Sequence, residues 1–169
     1  MPFAPPAVDD VLASLVQRFG PLESSVYRGQ TRLVVPESDA FDVLQFLAAG
    51  GFDLLVDVTC VDYLEYRGAS RRYGLVYLLA STTTNQRLTV RVYVDDPEPT
   101  IRSVVPIWAG AEWLEREVWD MFGIRFAGHP DLRRLMMPEE FTAHPLRKDY
   151  PLQGRGERHN FPVITRDHS

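Results

Sequence analysis

The densest group of ionisable side chains is Glu112, Glu115, Arg116, Glu117 and Asp120. On a helix, Arg116 lies four residues from both Glu112 and Asp120 and can pair with either along the surface. Glu115 and Glu117 lie about 200° apart at 3.6 residues per turn, so they point to nearly opposite sides. Two of these carboxylates could act as acid and base. The pattern favours ion pairs, structural or at an interface, with one glutamate toward solvent or a local arginine and the other toward a partner. The histidines His129, His144, His159 and His168 are spaced 15, 15 and 9 residues apart in a stretch without helical period. A metal site wants converging ligands, often at helical spacing. His129-Pro130 and His144-Pro145 read instead as turns organised by a hydrogen-bonded histidine, because proline pushes its predecessor into extended backbone. Cys60, the only cysteine, sits in an apolar run and reads as a core residue rather than a nucleophile. Gly154-Arg155-Gly156 lacks the preceding strand and following helix of a phosphate loop, and no nucleophile elbow is present. No catalytic, cofactor-binding or metal-ligating residue is assigned.

The elements that must position these residues follow from periodicity. Asp9 and Asp10 can cap a helix carrying Val11, Leu12, Leu15, Val16 and Phe19, stopped by Gly20-Pro21. Residues 22–27 and 31–35 read as a hairpin around Arg28-Gly29-Gln30. Ser38 or Asp39 can cap a second helix with Phe41, Leu44, Leu47 and Ala48, ended by Gly50-Gly51. Residues 54–64 read as a strand with Val56, Val58 and Cys60 on one face, and residues 71–81 and 87–94 continue the theme. In the last of these, Leu88, Val90, Val92 and Val94 alternate with Thr89, Arg91 and Tyr93, the mark of one covered and one polar face. A helical turn is expected over 101–105 and a helix over 111–122, with Ala111, Leu114, Val118 and Met121 inward and Gly123 as its end. The implied fold is α+β: a two-layer domain with a mixed or antiparallel sheet and helices mainly on one face. The core domain spans 1–128, and 129–169 forms an extended C-terminal docking arm. The arm has no regular period, yet it carries Leu132, Leu135, Met136, Met137, Phe141, Leu146 and Tyr150. Such residues suit burial on another protein. In Leu146-Arg147-Lys148-Asp149-Tyr150-Pro151, Asp149 interrupts the basic run, and arginine and tyrosine read as interface anchors.

Composition bounds the partners. The 169 residues are 45% hydrophobic and 24% charged, as in globular chains. The formal charge is -5, a poor basis for holding a phosphate backbone, so nucleic acid is not expected. Residues 1–128 carry 11 basic and 17 acidic side chains, and residues 129–169 carry seven and six. The slightly basic arm against an acidic body can steer docking. One cysteine excludes an internal disulfide, a cysteine zinc site and a self-contained iron–sulfur cluster. No apolar run is long enough to span a bilayer, and residues 1–6 lack the regions of a signal peptide. The chain therefore reads as cytosolic, meeting a membrane only through a partner.

Three blocks together carry a family resemblance. They are Glu115-Arg116-Glu117-Val118-Trp119-Asp120-Met121-Phe122-Gly123-Ile124, Gly128-His129-Pro130-Asp131-Leu132-Arg133-Arg134-Leu135-Met136-Met137-Pro138 and Pro145-Leu146-Arg147-Lys148-Asp149-Tyr150-Pro151-Leu152. In order and spacing they closely resemble the 30 kDa subunit of respiratory complex I, the NADH-quinone oxidoreductase. The resemblance implies a non-redox subunit of the peripheral arm on the cytoplasmic side of the bacterial plasma membrane. It implies docking on a 49 kDa quinone-site subunit, with FMN, iron–sulfur clusters and quinone held by partner subunits and none by this chain. It puts Glu115, Arg116, Glu117 and Asp120 at the family's helix motif and His129, Arg133, Arg134, Arg147 and Lys148 on its docking arm; with Leu146 and Tyr150 from the arm's own pattern, these are the expected partner-binding residues. Related subunits serve membrane-bound hydrogenases and ferredoxin-driven dehydrogenases, so an equivalent role there is the alternative. A stand-alone acid–base enzyme using Glu115, Glu117 or Asp120 is the reading from a different class.

Overall fold

A computed structural model describes residues 8–156. The expectations for residues 1–6, for His159 and His168, and for the last part of the arm fall outside the described residues. The chain begins with α1 (Val8–Phe19), then the hairpin β1 (Glu23–Tyr27) and β2 (Gln30–Val35), a short 3-10 turn, and α2 (Ala40–Ala49). Then come β3 (Leu54–Asp62), β4 (Tyr73–Ala80) and β5 (Arg87–Val94). The last elements are β6 (Thr100–Arg102), α3 (Ala111–Phe122) and β7 (Arg125–Ala127). The main sheet has the order β1-β2-β5-β4-β3 and is mixed, because β2 runs parallel to β5 and the other pairs are antiparallel.

Register puts one apolar row on one face. Leu33 pairs with Val90, Val90 with Tyr77 and Tyr77 with Val58, and all four are buried. Val35, Val92, Leu75 and Cys60 form the next buried row. The helices supply Val11, Leu15, Val43, Leu44, Leu47, Ala111 and Val118 to the same core. A one-residue slip would turn both rows outward, so burial itself pins the register. On the opposite face Arg32, Val34, Thr89, Arg91 and Tyr93 are only half covered. This is the two-layer α+β arrangement expected, with helices over one face.

Several local expectations are corrected. Asp9 and Asp10 lie inside the first turn of α1 rather than ahead of it. Val16 is 46% exposed, because α1 lies mainly against α2 and only a narrow stripe is covered. Asp39 occupies the cap position of α2 but makes no side-chain capping bond; the Ser38 hydroxyl donates to the Asp39 carboxylate instead. Val56 is exposed and does not share a face with Val58 and Cys60. A β-bulge between Leu55 and Asp57 inserts one residue and flips the alternation, so Leu55, Val58 and Cys60 point inward. Residues 101 and 102, read as the start of a helical turn, belong to β6 with Thr100 and pair in parallel with β7, Ile101 opposite Phe126. β-Branched Thr100-Ile101 suits a strand, and the helical turn follows at 104–108. The β6–α3–β7 crossover fixes α3 at the edge of the core.

Candidate functional site

The sequence of α3 supports its helix: Ala, Glu, Leu, Arg and Met are strong helix formers. Gly123 closes it in the left-handed region at φ 76° and donates its N–H to the Trp119 carbonyl. The buried stripe is Ala111, Glu115, Val118 and Phe122, while Leu114 and Met121, expected inward, are half covered. A glutamate thus occupies a core position.

Glu115 is fully buried. Its carboxylate accepts the Ser103 hydroxyl at 2.6 Å and the Val104 N–H at 2.7 Å. Burial pushes its pKa up to about 7, and those two neutral donors offset only part of the effect. This corrects its assignment as a partner-binding residue, since it offers no surface. Glu117 is the exposed member of the pair.

Asp120 is also fully buried, but its donors are different. One oxygen accepts the backbone N–H groups of Leu135, Met136 and Met137 at 3.0, 2.7 and 2.9 Å. The other accepts Arg134 Nη1 at 2.5 Å. Burial alone raises its pKa, yet three amides and a guanidinium outweigh burial and hold it below the usual carboxylate range. Arg116 pairs with neither Glu112 nor Asp120. Its Nε and Nη2 donate to the carbonyls of Arg133 and Arg134 at 3.1 and 3.0 Å. His129 takes the Asp131 N–H on Nδ1, which leaves Nε2–H to donate to the Glu112 carbonyl at 3.0 Å. That is the turn-organising histidine the sequence suggested.

The last carbonyls of a helix have no partner within it. Here residues 144–147 supply them. His144 Nδ1 donates to the Asp120 carbonyl, the Leu146 N–H to that of Met121, and Arg147 Nε to that of Phe122. A cation at this end also complements the helix dipole. A Cβ on Gly123 would come within 2.5 Å of Arg147 and 2.6 Å of His144, so glycine is needed for close approach as well as for φ. Farther along, buried Asp62 accepts the Lys148 N–H at 2.9 Å and both Nε and Nη2 of Arg72. Arg72 reaches Asp149 at 2.9 Å. Asp62 and Arg72 bear no sequence signal toward the arm, because the contact to Lys148 spans 86 positions. Ser103 was missed for a similar reason, since a lone serine ahead of a helix marks nothing by itself.

The stretch 129–150 is therefore irregular but not detached: it is hydrogen-bonded to α3 and to the end of β3. The expectation that its apolar residues bury on another protein is corrected in part. Phe141 is buried within the chain and stacks edge-on with Tyr150 at 5.7 Å. Leu132, Leu135 and Met137 are half covered. What remains outward is Met136 at 64%, Leu146 at 52% and Trp113 at 56% exposure, with Arg133, Lys148 and Glu117 also exposed. Cys60 is buried and its thiol is pushed up to about 12, chiefly by burial, the environment of an inert core residue.

The family model of the respiratory-chain NADH dehydrogenase 30 Kd subunit matches residues 33–156. A relative from Geotalea uraniireducens, named as an NADH-quinone oxidoreductase subunit, is 44% identical over 134 residues, covering 79% of this chain and 80% of its own. One of the same name from Trichlorobacter lovleyi is 46% identical over 136 residues, covering 80% and 83%. A solved trypsin-resistant fragment of Nqo5 superposes with TM-score 0.66 at 35% identity, over 74% of this chain and 98% of the fragment. A chain of an archaeal membrane-bound sulfane sulfur reductase shares the fold, with TM-score 0.76 at 21% identity over 94% and 93%.

Proposed function

The chain belongs to the respiratory-chain NADH dehydrogenase 30 kDa subunit family, and from that premise we propose that it is a non-redox structural subunit of the peripheral arm of a proton-translocating NADH:quinone oxidoreductase. It braces the 49 kDa quinone-site subunit, on the cytoplasmic side of the bacterial plasma membrane. FMN, the iron–sulfur clusters and quinone belong to partner subunits. A chain with one buried cysteine cannot supply the thiolates of a cluster. No helix among the described residues is long and apolar enough to cross a membrane, in keeping with a peripheral place.

The observation that carries this reading is a set of exposed apolar residues: Met136 and Leu146 on a segment whose own backbone is tied to α3, and Trp113 on α3 itself, under the Arg116 guanidinium that holds that segment. Preorganised apolar anchors beside Arg133 and Lys148 suit a permanent protein interface. The acid–base reading is disfavoured by geometry: Glu115 and Asp120 are sealed from substrate, and their oxygens are engaged. The equivalent role in a related membrane complex draws on fold alone.

The paired substitution Met136→Asp and Leu146→Asp tests the proposal. Exposed positions of this kind change stability by at most about 0.5 kcal/mol each, so the urea midpoint of the isolated chain should barely move. Recovery of the chain with the quinone-site subunit should fall by about tenfold or more. Normal recovery of the doubly substituted chain would refute docking through Met136 and Leu146.

A further inference from the structure

The sheet face turned away from the helices carries a constructed groove. Gly74 in β4 has no side chain where a Cβ would lie 2.8 Å from the Tyr63 ring and 3.3 Å from Tyr93, so Tyr63 lies down on the sheet. Tyr66 and Tyr93 flank it with ring centroids 5.8 and 6.2 Å away. The β3–β4 connection is folded by two tight turns, Tyr66 N–H to the Tyr63 carbonyl and Ala69 N–H to the Tyr66 carbonyl, and it walls the groove. The groove is open to solvent and has a volume of about 560 Å³.

The charges lining this groove are unbalanced. Arg71 is committed to Asp95 and to the Tyr93 carbonyl. Arg67 and Arg91 meet no carboxylate among the described residues, and Glu23 is the one acid on the lining. Arg91 makes a single long bond, Nη1 to the Tyr93 hydroxyl at 3.4 Å, while its Nε is sealed and finds no acceptor. A guanidinium has five donors in a fork that matches a carboxylate. Burying Nε without an acceptor is costly. In a chain with formal charge -5, this is a local excess of positive charge beside aromatic edges.

We propose that this groove docks a short acidic segment of another protein, with a carboxylate on Arg91 and Arg67 and a neighbouring apolar side chain against Tyr63 and Tyr66. Two arginines with Glu23 on the rim suit a singly charged carboxylate. Arginines pair with phosphate as well as carboxylate, but Glu23 on the lining repels a doubly charged group more strongly than a singly charged one. The site lies on the sheet face away from the helices, shares no residue with the docking proposed for Trp113, Met136 and Leu146, and does not depend on it.

The test uses the folded full chain on an array of hexapeptides that combine Asp or Glu with Leu, Phe and Ala. Matched arrays carry Gln for every acid, and further arrays carry phosphoserine peptides and oligonucleotides. Retention should be confined to the acidic–apolar peptides and fall about tenfold with Arg91→Gln. Arg67→Gln, at an exposed position that leaves the fold intact, should weaken it less but measurably. Equal retention on the Gln arrays, a preference for phosphoserine peptides or oligonucleotides, or unchanged binding by both variants would overturn the proposal.

Discussion

Glu115 and Asp120 sit five residues apart on one helix and are equally buried, yet their surroundings drive them in opposite directions. Glu115 points into the core and meets a hydroxyl and one amide, so burial dominates and its pKa rises to about 7. Asp120 points to the arm and meets three amides and a guanidinium, so it stays ionised below the usual range. Burial alone therefore does not fix the charge of a carboxylate; the number and charge of its donors do. One end of α3 is tuned for packing and the other for fastening.

The largest expected effect breaks the fastening. Asp120→Ala leaves Arg134 and three amides without their acceptor, and breaking such a buried pair costs roughly 3–5 kcal/mol. Urea denaturation of the full chain should register that loss, with early proteolytic cutting between residues 129 and 150. A loss below about 1 kcal/mol would mean that the arm is held by something else.

The next sharpens the comparison through pH. The folded pKa of Glu115 lies above its usual value of 4.5. Its stabilisation is therefore complete below about pH 4.5 and lost as pH rises through about 7, by roughly 3 kcal/mol. Glu115→Gln keeps a donor and an acceptor without the charge. It should match the parent at pH 4.5 and exceed it in stability at pH 8. Asp120 works with the other sign: its contribution is present above the usual value of 3.8 and fades as pH falls through its lowered folded value. Parallel pH profiles for Glu115→Gln and Asp120→Asn would erase the distinction.

Gly123→Ala is the smallest of these perturbations. It forces φ 76° on alanine and drives a methyl toward His144 and Arg147, at a cost of roughly 2 kcal/mol. The cut site between residues 129 and 150 should open while the sheet stays intact, which proteolysis with mass spectrometry reads directly.

The strands and helices were largely legible because their periods are strong: β5 alternates as read, and α3 ends at Gly123 as read. The bulge at Val56 was invisible, since an inserted residue leaves apolar composition unchanged and alters only parity. At the site, the residues were legible and their partners were not. Arg116 looked ready to pair along its own helix, but backbone carbonyls seventeen and eighteen positions away are better placed. Likewise, the motif blocks around α3, Gly128 and Pro145 read as an external docking surface. Much of their chemistry is spent on one another, with His129, Arg134, His144 and Arg147 all bonded to α3. Only tertiary proximity could reveal that.

Hydrogen exchange of the Leu135, Met136 and Met137 amides in the isolated full chain is the most direct measurement. If Asp120 fastens the arm to α3 before any partner arrives, these three amides should exchange as slowly as those of β4 and β5, and quickly in Asp120→Ala. Exchange at the rate of an unstructured chain without a partner would contradict the account, because the arm would then owe its shape to the complex rather than to its own helix.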